Sequence, residues 1–476
     1  MRTARFGTAV LAALLLSGCS TLSSLNPFDD GDARGDQGDV PEDSRRISIL
    51  ELSDTLRVAE NAAPGSIVLP PPYVNTDWPQ PGGNGANVVQ HTGATGPLTT
   101  VWSEKVGDGS DRKGFVAASP VIANGTIFVF DADNTVHAVS EADGSDLWSF
   151  KLEKQAGEAT RTQGTSIIDR VRDPVSVLDG SGRDKDSVGG GVAVDGGTVY
   201  VTSGLGLVTA LDAATGAQRW VRPVRTPLHS APVVSANRVF AITDDNEILA
   251  FDARTGEVLW TYQGIVETAR MLTAPVPAVV GDTVIAPFSS GEIIALRAQN
   301  GGVLWQDALT STARLTPLAS LNDIAFGPVV ADGFVIASAQ SGVMTAFDLR
   351  TGQRIWSQPA GTLGMPWVAG DTVFAATTDG KIAALSKLDG TVQWVQQLQT
   401  FEKPEKRKDR VVWSGPVLAG ERLLVASSNN QLVVLNPFDG SIIEQRKTGG
   451  DVMVPPVIAN QTVYLLTDDA KLIALR

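Results

Sequence analysis

Few side chains in this 476-residue chain are placed for chemistry. Its three histidines stand at positions 91, 137 and 229. That spacing suits no metal site, and no cysteine pair accompanies it. No nucleophile elbow, phosphate-cradling glycine loop or paired-acid motif stands out. Asp212, Asp252 and Asp348 recur at matching places, but they belong to a turn repeat, so their recurrence has a structural cause. The one reactive group with a defined setting is the thiol of Cys19, the only cysteine, which excludes a disulfide within the chain. It closes the small-residue run Leu16-Ser17-Gly18-Cys19, behind an apolar stretch over 6–16 and the cations Arg2 and Arg5. That order reads as a targeting segment, 1–18, ending at a processing site. Its apolar run is too short for a spanning helix. The chemistry expected is therefore attachment rather than turnover, with no catalytic residue, no metal and no cofactor.

The elements that carry these residues are repeats. Ala346 to Trp356 reads A-F-D-L-R-T-G-Q-R-I-W. Close copies are Ala210 to Trp220, Ala250 to Trp260 and Ala384 to Trp394, with weaker ones at 138–148, 295–305 and 434–444. An alternating strand runs into an Asp whose carboxylate can cap amides two or three residues on. A glycine then supplies the reversal, at Gly144, Gly216, Gly256, Gly301, Gly352, Gly390 and Gly440. The returning strand carries a Trp, read as a packing residue between neighbouring units. Pro120, Pro232, Pro328, Pro366 and Pro416 each precede their glycine by 24 residues, and Pro275 precedes Gly301 by 26. Proline at the start of an innermost strand loses no needed N–H. Each unit is thus four short strands over about 40 residues, a propeller blade. The last proline of the series, Pro456, would place its glycine beyond Arg476. The strand Leu98 to Val106, with Trp102, is expected to complete that blade. The prediction is all-β: an eight-bladed β-propeller of four-stranded antiparallel blades over 98–476, closed by an N-terminal strand.

Ahead of the ring, 19–44 is rich in Ser, Gly, Asp and Pro and reads as a disordered tether. An N-terminal extension, 45–97, follows. Its 45–60 part has apolar residues that fit neither period and reads as a short patch docking on the propeller or a partner. Its 64–97 part, with Pro70-Pro71-Pro72, reads as an extended run over the surface. Two insertions break the rhythm, a polar one at 151–187 and a basic one at 401–410. The net charge is −14, and loss of Arg2 and Arg5 would take it to −16. Nucleic acid is thereby excluded as a partner, and so is charge-driven binding to anionic lipid.

Two resemblances add to this reading. Leu16 to Cys19 resembles the lipobox of bacterial lipoproteins, which implies a signal peptide over 1–18 and acylation (palmitate) of Cys19 as the mature N-terminus. Ser20 in place of Asp resembles an outer-membrane address. The A-[LF]-D-x-x-T-G-x-x-x-W repeat resembles the pyrroloquinoline quinone type propeller repeat. With lipobox and length it resembles the lipoprotein family of the outer-membrane β-barrel assembly machinery, BamB. The Trp78-Pro79-Gln80-Pro81-Gly82-Gly83 run resembles its alphaproteobacterial branch. The resemblance implies a scaffold on the periplasmic face of the outer membrane. It implies binding of the BamA POTRA domains within the BAM complex, and promotion of outer-membrane protein insertion, with nascent outer-membrane proteins as further partners. The implied contact loops are Glu267 to Leu272 and Leu321 to Phe326, with Arg270, Met271, Leu272 and Asp323 as contact residues. Glu267, Ala269 and Ala325 depart from the family's pattern there. The same repeat also resembles the quinone-dependent alcohol dehydrogenases, the alternative reading, though the vicinal cysteine pair typical of that family cannot form here. A ligand-binding periplasmic propeller is a third.

Overall fold

A computed structural model of the protein describes residues 56–60, 67–111, 114–153, 188–267, 275–309, 323–324 and 326–476. Eight four-stranded antiparallel sheets follow one another, each an uninterrupted meander in seven cases. These blades span 121–151, 190–223, 233–263, 278–308, 329–358, 367–397 and 413–447. The eighth takes its inner strands from Val457–Ala459, Thr462–Leu466 and Lys471–Leu475 and its outermost from Thr100–Lys105. The expected closure is therefore present, in the register Trp102↔Ala474 and Glu104↔Leu472. Thr99 N–H donates to the Arg476 carbonyl at 2.7 Å and receives the reciprocal bond at 2.9 Å.

The repeat's residue types have direct structural causes. The small residue and the Trp are cross-strand partners: Ala138↔Trp148, Ala250↔Trp260, Ala384↔Trp394. A small side chain lets the indole lean over, and a bulge immediately after it turns the strand toward the next blade. The Asp caps the turn as read from the sequence. Asp212 Oδ1 accepts from Thr215 N–H at 3.0 Å and Thr215 Oγ1 at 2.9 Å, and Asp348 does the same with Thr351. Each Trp then crosses to the following blade. Trp260 donates its indole N–H to Ala298 O at 2.9 Å, Trp356 to Lys387 O at 2.8 Å and Trp394 to Pro437 O at 2.9 Å. The ring plane covers the next blade's turn glycine. At Gly301, with φ +70, a Cβ would lie 2.7 Å from Trp260 Cε3. Glycine is needed there both for its backbone angle and to admit the indole.

One seam departs from this pattern. Blade seven carries Glu444 where the Trp would be, paired to Val434. The staple toward blade eight is instead polar, Arg446 donating to the Leu98 carbonyl just ahead of its outermost strand, while Arg422 donates to the Ala94 carbonyl of the N-terminal extension at 2.8 Å. One detail of the proline series is corrected. Pro277, not Pro275, immediately precedes the innermost strand Ala278–Val280, and it stands 24 residues before Gly301 like its counterparts. The basic insertion 401–410 is a small hairpin of Phe401–Lys403 and Lys408–Arg410, with Arg407 and Arg410 each 5.8 Å from the Phe401 ring.

Candidate functional site

Because each blade has four alternating strands, the innermost strand starts and the outermost ends on one side of the ring. All blade-to-blade loops, including 264–277, 309–328 and 398–412, therefore share one face. The glycine turns share the other.

The N-terminal extension occupies the glycine-turn end of the central channel. The innermost strands would otherwise present unpaired N–H and C=O groups to the channel. Residues 75–92 visit them in ring order. Asn75 O accepts from Asn460 N–H at 2.8 Å on blade eight, and Trp78 exchanges two bonds with Ile122 at 2.7 and 2.8 Å on blade one. Pro79 O accepts from Val194 N–H at 2.8 Å. Gln80 uses its side-chain amide on blade three, donating to Val234 O at 2.8 Å and accepting from Val234 N–H at 3.2 Å. Gly85 O and Ala86 O accept from Val279 and Val330 at 2.5 and 2.9 Å. Gln90 receives the Trp367 indole N–H at 2.7 Å and the Gly370 amide at 2.8 Å on blade six. Thr92 O accepts from Gly420 N–H at 2.8 Å on blade seven. The circuit closes on itself where Tyr73 N–H donates to His91 O at 3.0 Å. Sequence reasoning placed 64–97 over the surface. Of its described part, residues 75–92 instead form a hoop inside the ring's rim, with turns over 80–87. Leu56, from the 45–60 patch, is buried against Trp356, Val373 and Val392.

Trp78 stacks on Trp367, with centroids 6.1 Å apart and planes at 22°, and together they floor the channel. The cavity above them, about 90 Å³, is lined by Trp78, Pro81, Ala118, Met365, Pro416 and Met453 among others, and none of its lining side chains is ionisable. It continues toward the loop face through Phe326, Met453 and Val454 into a wider mouth of about 220 Å³. His229 is the one ionisable side chain there, its Nδ1 2.5 Å from Asp244 Oδ1. The other two histidines are also partnered. His137 Nε2 lies 3.0 Å from Asp131 Oδ2, and His91 bridges Pro70 O at 2.7 Å and Glu421 N–H at 3.1 Å. Burial pushes the Asp131 carboxyl up, but the His137 ring and the amides of Asp108 and Thr135 outweigh it and hold the group below the ordinary carboxylate range.

Of the contact residues expected from sequence, Arg270, Met271 and Leu272 lie outside the described residues, as does Cys19. Asp323 is described and is only 1% exposed. Its backbone carbonyl accepts from Gln340 N–H at 2.9 Å. A carboxylate expected on the loop surface is thus held at the loop's base. Sequence reasoning missed Ile265 and Val266, which are 58% and 56% exposed on the loop face just ahead of Arg270. Two adjacent β-branched residues following a strand and Gly264 were the available signal.

A family model described as outer membrane protein assembly factor BamB matches residues 82–184, 184–396 and 379–476. The chain belongs to the BamB family. The outer membrane protein assembly factor BamB of Salmonella typhimurium (strain LT2) is 27% identical over 378 residues, covering 79% of this chain and 88% of that protein. The crystal structure of BamB from Moraxella catarrhalis aligns with a TM-score of 0.62 at 21% identity, covering 80% of this chain and 99% of that one. A europium-containing methanol dehydrogenase aligns with a TM-score of 0.61 at 14% identity, covering 82% and 89%. Both structural likenesses show the ring fold. The dehydrogenase likeness can be tested on the channel. A tricarboxylate quinone and its metal need charged partners, whereas the inner cavity's lining has none. Among the described residues no three His, Cys, Asp or Glu side chains converge. The channel does not fit that cofactor.

Proposed function

We propose that this chain is a non-catalytic scaffold of outer-membrane β-barrel assembly, anchored through acylated Cys19 on the periplasmic face of the outer membrane. Its loop face binds the POTRA domains of the barrel-forming subunit BamA, and the binding promotes insertion of outer-membrane proteins. The observation that carries the reading is the match to the BamB family model across 82–476.

The arrangement suits such work. Indole staples and the hoop fix the ring, so little ordering entropy is lost on association. The segments 264–277 and 309–328 connect successive blades, three to four and four to five. Exposed Ile265 and Val266 supply an apolar element beside Arg270, Met271 and Leu272. Arg270 can pair through its planar fork with a carboxylate or a backbone carbonyl. Asp323, at the base of the second loop, contributes by shaping that loop or reaches the partner when the loop rearranges. Anchoring to the same membrane raises the partner's effective concentration.

The test is co-purification from membranes in mild detergent, with tagged wild type beside Arg270→Glu and identification by mass spectrometry. Recovery of the POTRA-bearing barrel subunit with wild type, reduced at least tenfold in the variant, is the expected result. Failure to recover it with wild type would refute the scaffold reading.

A further inference from the structure

The channel mouth on the loop face carries a polar group that the assembly reading leaves unused. His229 is fixed by two neighbours. Its Nδ1 meets Asp244 Oδ1 at 2.5 Å, and its Cδ2 would lie 2.7 Å from a Cβ at Gly189, so glycine is what lets the ring sit there. With Nδ1–H donated to the carboxylate, Nε2 holds the lone pair and is an acceptor. Nε2 takes no partner among the described residues, and the side chain lines the mouth. Around it the walls are mostly apolar, with Phe115, Phe326, Leu363, Trp413 and Met453, interrupted by Gln340 and Ser414. Below, the channel stays apolar down to the Trp78–Trp367 stack and is stopped by the hoop.

We propose that this blind, mostly apolar mouth is a socket for a tyrosine side chain presented by a polypeptide partner, with His229 Nε2 accepting the phenol hydroxyl. The chemistry narrows the occupant in three steps. A cavity of roughly 150 Å³ admits benzene, so the mouth of about 220 Å³ admits one aromatic ring. Among the described residues the lining, apolar apart from His229, Gln340 and Ser414, holds no carboxylate, lysine or arginine to pair with a charged side chain, which would lose its hydration there. The oriented His229 acceptor favours a ring bearing a hydroxyl over a purely hydrocarbon ring, because an acceptor covered without a partner is costly, and the lining also carries Gln340, whose buried Nε2 has no hydrogen-bond partner among the described residues. Methionine at the wall can shift to fit the ring. The inference stands apart from the assembly reading, because its probes are small molecules and need no partner protein.

The test uses the full chain with its three histidines labelled with ¹⁵N and the side-chain analogues p-cresol, toluene and 3-methylindole as probes. The three imidazoles are assigned with His229→Gln. The account expects p-cresol to bind about tenfold tighter than toluene, the worth of one hydrogen bond to a held acceptor. It also expects p-cresol, and not toluene, to move the His229 Nε2 resonance. In His229→Phe the two should bind alike. If that variant fails to fold by circular dichroism, Asp244→Asn serves instead, since it releases the ring's orientation and should shrink the preference. Four results would overturn the proposal: no binding of either probe, equal binding by wild type, a preference that survives in the variant, or tighter binding of 3-methylindole than of p-cresol.

Discussion

Gln80 offers the sharpest test of the hoop. Among the described residues it is the side-chain amide that engages both polar groups of one innermost-strand residue, Val234. Both residues are buried, at 8% and 3% exposure. Gln80→Ala removes an acceptor from the Val234 N–H and a donor from its C=O. Leaving a buried backbone group unpaired costs about 1–3 kcal/mol, so blade three's inner strand loses about 2–6 kcal/mol if nothing replaces the amide. Water entering from the channel would bring the cost toward the lower figure. A ring of repeats need not unfold in one step, so the apt assay is amide hydrogen exchange read blade by blade. At about 1.4 kcal/mol per factor of ten, loss of the N–H partner alone should cut protection of Val234 roughly 10- to 100-fold. Ile122, which Trp78 backbone serves on blade one, should keep its protection. Gln80→Glu should behave like the alanine variant near neutral pH, because a carboxylate would face the Val234 carbonyl. Unchanged exchange at Val234, or an equal loss on all eight blades, would refute the view that the hoop secures each blade separately.

Three further outcomes follow from the same structure. Gly301→Ala should destabilise the ring by about 2–4 kcal/mol in denaturant unfolding, combining a disfavoured φ of +70 with a Cβ 2.7 Å from Trp260; an unchanged midpoint would contradict the staple. The Asp131 carboxyl sits lower in the folded protein than its ordinary value, so the stability it adds is complete above the ordinary carboxylate range near 3.9 and is lost as pH falls below it. Asp131→Asn should therefore flatten the acid side of a stability-versus-pH curve below the ordinary carboxylate range while lowering stability at pH 7. Cys19→Ala should move the chain from the membrane to the soluble fraction after cell fractionation, since one acyl-bearing residue is the proposed anchor.

The turn repeat made the ring legible from sequence because its residues are bound by geometry at fixed spacing. Asp caps, glycine reverses, and a small residue faces Trp across the hairpin, so seven copies announce seven blades and the unmatched Pro456 an eighth. Leu98 to Val106 could be assigned to the last blade because an outermost strand and its Trp were missing there. The proline near 275 was misplaced by two residues because Pro275 and Pro277 stand together, although the 24-residue spacing to Gly301 already singles out Pro277, which the strand Ala278–Val280 then places. The hoop was not legible. Many of its contacts are made by backbone groups, and its side-chain contacts, from Asn75, Gln80, Asn87, Gln90 and Thr92, stand at irregular spacing, so neither imposes a periodicity. The burial of Asp323 escaped for a related reason: a polar residue in a loop gives no sign of whether the loop folds over it. His229 and Asp244 lie 15 positions apart, and only the inward turn of the connection before blade three brings them together at the channel mouth.

The central claim is that the loop face, and not the hoop face, meets the barrel-forming subunit. A photo-crosslinking residue placed at Val266, exposed beside the first loop, and another at Asp195, exposed at a turn on the opposite face, would be irradiated in living cells. The account predicts an adduct with BamA from position 266 and none from position 195. An adduct from 195 with none from 266 would contradict it.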